Sequence, residues 1–561
     1  MKFSELTYQR PSIEETQASL TALTERLSSA KTLEETLNIH KEYEELDNKI
    51  STPQNLVMVR NSQNTADTLY AEETDYFDEV DPQLETYYKN YYKALVTSPF
   101  EAELRATWGH LMFDNAALEL KTFHPSIVED LQEENKRVTQ YENLTSTAQV
   151  TFDGKEITMA ELTAYMEDSD RETRKAAMMA ESDWYVTHKD TLDSIFDGLV
   201  KVRTTIAHKL GHKNFVETGY YRMQRNCYTP EMIAQFRKGV VEHIVPIVTR
   251  LAKQQAERIG VPFPMKVHDM HCHYVDGNPK PVGTADDIFA HGLKMYRELS
   301  EETGDLIDTM VAEEYFDVLP RPNKNDWGYC IYFDELQKSF IFANFNGTSD
   351  DVLVFTHEMG HAFANHLARD VYPGDLRHAG HDIAEAHAIG MEFLTWPWME
   401  GFFGEGTDKY YQMHLTNALR SLPYECMVDE FQHHVYERPE MTPAERNALW
   451  IALNKVYRPH RDGSDFSIDA QGRMWQEVSH IFDTPFYYID YSLAQIAALS
   501  FWAESQANHA TAWEKYRRFV SFAGTKTFVE LMALSDLPTP FEPDNLKRMA
   551  DTAVKWLDGQ K

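Results

Sequence analysis

Apolar positions recur at the three-and-four spacing of an amphipathic helix through most of the first 211 residues. This pattern predicts helices over 12–50, 80–120, 126–143 and 158–211, the last with Ser169 or Asp170 as a cap. One interruption reads differently. Gln149-Val-Thr-Phe and Glu156-Ile-Thr flank Asp153-Gly154, the turn dipeptide of a two-residue hairpin. Further on, Phe340-Ile-Phe-Ala-Asn-Phe is a short apolar run ending at Asn346-Gly347, which reads as a strand and a turn. Such a strand would be either an edge that pairs with an extended peptide or a buried structural element. Helical spacing resumes with Val352, Leu353, Phe355, Met359, Ala362, Phe363 and Leu367, where Ser349 or Asp350 is placed to cap. A second helix is expected from about Asp382 until Pro397 disturbs it.

The first of these two helices carries His357-Glu358-Met359-Gly360-His361. Residues i and i+4 stack on one helix face, so the two imidazoles can converge on one metal ion. Glu358 then stands beside a water at that metal, where a general base is needed. A helix buried on most sides and carrying two His and a Glu is costly unless something satisfies those groups. Catalytic zinc takes three protein ligands and keeps a fourth position open. A metzincin would supply the third as His at the sixth position after the second ligand, but Ala364 and Leu367 stand where its Gly and His belong. On the next helix Glu385 and Glu392 are seven residues apart and share a face, so either reaches the metal. We take Glu385 as ligand and Glu392 as the carboxylate that orients an imidazole. His378, His381 and His387 are nearby competitors. His387 lies about 200° round the helix from Glu385, so those two do not serve one metal.

HEMGHAF followed 24 residues later by the Glu of Asp-Ile-Ala-Glu-Ala resembles the M3 family of zinc oligopeptidases, in its oligoendopeptidase F and Pz-peptidase branch. Upstream, Trp327-Gly-Tyr-Cys330 and Phe340 to Gly347 resemble the family's strand segments. Downstream, Ser479 to Tyr491 resembles its segment of a His followed by tyrosines. The likeness is firm over about 200 to 555 and thin before that. It implies Glu385 as third zinc ligand, His480 as the active-site His, and Tyr488 and Tyr491 as the tyrosine pair. It implies a mainly α fold, an elongated helical body with a small β element and a HExxH...E catalytic core in a deep cleft between two lobes. The thimet-type branch has a glycine pair between the His and the tyrosines, whereas Asp483-Thr484-Pro485 is shorter and stiffer. Which of Tyr487, Tyr488 and Tyr491 meets the substrate oxyanion is thereby left open.

The expected activity is that of a zinc endopeptidase on short unstructured oligopeptides, with one Zn2+ per chain, a zinc-activated water and Glu358 as general base. A silent peptide-binding protein, or a zinc exopeptidase on the same scaffold, is the alternative. His268, His271, Cys272 and His273 offer donors for another metal. A strand would turn Cys272 away from His271 and His273, and this segment resembles a non-ligand stretch of the family centred on Asp269.

Size and composition narrow the picture further. A chain of 561 residues exceeds the usual single-domain size. We divide it into an N-terminal helical domain, 1–199, and an M3-like catalytic domain, 200–561. A net charge of −35 argues against nucleic acid or an anionic membrane as partner. Four scattered cysteines favour a reducing compartment. With no apolar leader and no apolar run of about 18 residues, a soluble cytoplasmic protein is expected. Its oligomeric state is not readable from the sequence.

Overall fold

The computed structural model describes residues 1–166, 168–321, 323–325 and 328–559, so Trp327 of the expected strand segment lies outside the described residues. Among the described residues the fold is mainly helical with three small sheets. Contacts gather the chain into two compact units. One comprises 1–120, 280–407 and 504–537, the other 121–279, 408–503 and 538–561. The line expected at residue 200 falls inside the helix Arg171–Lys209.

In the first unit the long run over 12–50 is two helices, α1 (Ile13–Ser29) and α2 (Leu33–Gln63). The break has a local cause: Thr32 is extended, and its side chain accepts the Glu35 amide to start a new helix. The run over 80–120 likewise resolves into α3 (Thr68–Val96) and two short helices. Leu20, Leu27, Ile39, Tyr43, Tyr91 and Phe113 bury the shared face of this bundle. A three-stranded sheet follows, with β1 (Phe316–Asp317), β2 (Tyr329–Phe333) and β3 (Lys338–Phe342) in the order β1-β3-β2. β3 pairs parallel to β1 and antiparallel to β2, and its Phe340, Ile341 and Phe342 are fully buried. It is therefore the structural strand of the two readings. An inner strand has its main-chain groups spent on two neighbours and offers no edge to a peptide.

From the sheet the chain enters α4 (Ser349–Ala368), then α5 (His381–Leu394). Thr348, rather than Ser349 or Asp350, caps α4 by accepting the Asp350 amide. Asp351 ties the preceding turn by accepting the amides of Asn346 and Gly347 at 2.8 and 2.7 Å. α5 ends before Pro397, as the proline requires. α6 (His509–Ser521) packs on both, and the Tyr516 hydroxyl donates to the His387 carbonyl at 2.6 Å.

In the second unit, Asp170 caps the helix Arg171–Lys209. Gln149–Phe152 and Lys155–Thr158 form the expected hairpin, with Asp153 and Gly154 both at positive φ. The His268 segment is a short 3-10 turn rather than a strand, and Arg171 and Arg174 hold the buried Asp269 at 2.8 and 3.2 Å. Among the described residues no helix is long and apolar enough to cross a membrane.

Candidate metal centre

Convergence of α4 and α5 depends on a glycine. A Cβ on Gly360 would lie 2.6 Å from Ala388 Cα and from the His387 carbonyl oxygen, so only a residue without a side chain lets the two backbones meet. That approach brings one donor atom each from His357, His361 and Glu385 within 4.8 Å of one another. The two imidazole rings stand nearly perpendicular, 82° apart with centroids 5.1 Å distant. His357 Nε2 lies 3.4 Å from Glu385 Oε2, while its Nδ1 meets Glu392 Oε1 at 2.8 Å. Glu392 thus lies against the ring nitrogen opposite the one that faces the other donors, the position from which a carboxylate can orient the imidazole.

The electrostatics describe a site waiting for positive charge. Burial disfavours a charged His357, yet the Glu385 and Glu392 carboxylates outweigh it and hold the imidazolium well above its ordinary range. His361, buried beside His357, is pushed down to about 4. Burial, with help from Glu385 and Glu392 against His357, raises Glu358 to about 7. Three carboxylates share this buried pocket, and without a metal only the protonated His357 offsets their charge. Two imidazoles and a carboxylate are the ligand set that zinc takes in hydrolases, with Glu392 fixing one imidazole from outside. The residues fit the metal. Two of the three competitors are occupied differently: His378 meets Asp334 at 3.1 Å, and His387 packs its ring on Phe519, while His381 is not among the converging donors.

The other expected residues form their own group, in the second unit. His480 rings with Tyr487, Tyr488 and Tyr491 at centroid distances of 5.3, 5.1 and 6.3 Å, so all three tyrosines surround it. Burial raises the Tyr488 phenol far above its usual value, which keeps it a hydrogen-bond donor. The loop between His and tyrosines is held by residues the sequence did not single out. Arg203 donates to the carbonyls of Ile481 and Phe482, the first at 3.3 Å. Gln432 accepts the Phe486 amide at 2.9 Å, and Arg225 donates to the Phe486 carbonyl and, at 2.9 Å, to Asp490. Phe486 itself stands at positive φ and fills the space that a side chain on Gly219 would need. Stiffness expected from Pro485 alone thus has a wider basis. The partners lie some 50 to 280 positions away in sequence, beyond the reach of local pattern.

Residues 164–550 match the pattern described as Peptidase family M3, and residues 3–123 that of the Peptidase M3 N-terminal domain. The chain belongs to peptidase family M3. A structure of Pz peptidase A with inhibitor 2 superposes with a TM-score of 0.94 at 43% identity, covering all of both chains. Oligopeptidase PepF of Bacillus subtilis (strain 168) is 21% identical over 402 residues, 69% of this chain and 58% of that protein. The chromosomal oligoendopeptidase F of Lactococcus lactis subsp. cremoris is 23% identical over 355 residues, 60% of this chain and 55% of that protein. The match spans somewhat more than half the length of these two curated relatives. Together they set the chain in the oligoendopeptidase F and Pz-peptidase branch of the family.

Proposed function

We propose that this chain is a zinc-dependent endopeptidase that hydrolyses internal bonds of short, unstructured oligopeptides. The observation that carries the reading is the donor set of His357, His361 and Glu385 with Glu358 beside it. A zinc ion held by those three side chains would polarise the scissile carbonyl and acidify a water. Glu358, buried next to the ligand His357, is placed to take a proton onto its carboxylate from that water and pass it to the leaving amine. Glu392 keeps His357 Nε2 turned toward the centre throughout. We assign His480 and a tyrosine hydroxyl, from Tyr488 or Tyr491, the role of donors to the substrate oxyanion. Removing one such donor typically costs about 2.7–4 kcal/mol of transition-state stabilisation.

An internally quenched peptide blocked at both ends tests the reading. Internal cuts, identified by mass spectrometry, should vanish with a chelator and return with zinc. Glu358→Gln should lower kcat by about 10²–10⁴-fold while leaving the bound zinc in place. Failure to cut any of a varied peptide panel at full zinc occupancy would leave a silent peptide binder. Cutting only of peptides with free ends would leave an exopeptidase.

A further inference from the structure

A second group of donors sits in the same unit, on α2. His40 and Glu44 are four residues apart and share a helix face. Asp375, from the 3-10 turn Gly374–Arg377 that links α4 to α5, reaches the same point, and one ligand atom from each residue lies within 4.8 Å of the others. His40 is fully buried, with Trp108 at 4.8 Å, Tyr43 at 5.7 Å and Tyr91 at 6.1 Å between ring centroids. Its Nδ1 is bonded to the Tyr91 hydroxyl at 3.0 Å. Its Nε2 has no hydrogen-bond partner and faces Glu44 Oε1 and Asp375 Oδ2, both at 3.8 Å.

That spacing is too long for a hydrogen bond. It is close to the separation of two donors on one small cation, about 3.4 Å for tetrahedral bonds of about 2.1 Å. Both carboxylates are already oriented: Asp375 accepts the Tyr92 hydroxyl on the oxygen turned away from His40, and Glu44 accepts the Gly374 amide on Oε1, which also faces His40 and keeps its other lone pair and Oε2. Such outer bonds are what aims a metal ligand. The cations of the adjoining turn make their ion pairs with Asp334, Arg377 at 3.2 Å and His378 at 3.1 Å, and Arg377 acts on Glu44 only through space. Among the described residues no Lys or Arg forms an ion pair with Glu44 or Asp375. An unpartnered buried nitrogen facing two carboxylates is unfavourable until a cation lies between them.

We propose that His40, Glu44 and Asp375 form a second divalent-cation site, separate from the one zinc of the candidate centre, that clamps α2 to the turn between the two ligand-bearing helices. One imidazole and two carboxylates favour zinc or another first-row transition cation over calcium or magnesium, which take all-oxygen shells. With one buried imidazole and two half-buried carboxylates from separate segments around it, the ion acts as a brace rather than a reagent. It holds the segment through which any shift of α5 against α4 must pass.

The test uses the full chain and Zn2+ alone, counting bound metal by equilibrium dialysis and elemental analysis. The wild type should take up a second tight equivalent beyond the first. Glu44→Gln and Asp375→Asn should each lose one equivalent and keep the other, and His361→Ala should also lose one. Glu44→Gln and Asp375→Asn should in addition lose the part of the zinc-induced rise in melting temperature that His361→Ala retains. Because His40 is packed among aromatics, the carboxylate variants keep the test independent of its folding. A single equivalent in the wild type, or a second one that survives both Glu44→Gln and Asp375→Asn, would overturn the proposal. Neither result would touch the reading of the first centre, which rests on His361→Ala and on peptide cleavage.

Discussion

Glu392 never enters the cluster of candidate ligands, yet its 2.8 Å contact with His357 Nδ1 decides which ring nitrogen faces inward. Glu392→Gln should weaken zinc affinity by about 10- to 100-fold. Competition with a zinc-binding dye would measure the loss, and an unchanged affinity would remove Glu392 from the centre's support. Glu134 makes a second residue-level case. Burial opposes its charge, but Arg222 and Arg203 outweigh burial and depress it to about 2, below the ordinary 4.5. A depressed carboxylate contributes stability fully above its unfolded value and loses it as pH falls through the folded one. Glu134→Gln should therefore cost about 3–5 kcal/mol near neutrality, because Arg203 stays buried without its partner. Urea melts should show the gap to wild type closing between pH 4.5 and about 2. Of these residues Glu392 was legible in the sequence, because a seven-residue interval marks a shared helix face. Arg203 and Glu134 were not: each looks like an ordinary solvated charge until distant segments fold over it. Thr348 shows a finer limit, since Thr348, Ser349 and Asp350 are all good caps and only the backbone decides among them.

At the level of elements, the packing of α4 on α5 is the structural condition for the centre. Pattern and spacing gave both helices and the ends of α5, because amphipathic period and proline act locally. Their crossing was invisible, since Gly360 in the sequence reads as a mild helix weakness rather than a contact point. Gly360→Ala should push the helices apart, costing about 1–3 kcal/mol of stability. Zinc affinity should fall with it, because His357 and His361 would no longer meet Glu385. Calorimetry and metal titration on the same sample test this, and a variant that binds zinc normally would show that the contact yields. β3 makes the complementary point. Its apolar run identified a strand, but whether that strand is inner or outer depends on β1 and β2, whose pairing no local signal encodes.

For the whole molecule, the division into units does not follow chain order. The unit that carries the candidate centre draws on 1–120, 280–407 and 504–537. Glycine is scarce in the first 150 residues, but no shift of composition coincides with the crossings near 280, 407 and 504. The third segment brings α6, where Trp513 stacks on Phe363 at 5.4 Å and Tyr516 holds the His387 carbonyl. A chain ending at residue 503 should therefore lose zinc and the cooperative melting of this unit, even though every proposed metal ligand is still present. Metal analysis and circular dichroism of that fragment would check it, and tight zinc binding would show that α4 and α5 stand without α6. The same layout sets a timetable for biosynthesis. The ligand residues emerge from the ribosome well before α6, so the nascent chain carries the donors long before it can fix their geometry. On the proposed function, the centre forms only after the last segment of the unit has been made.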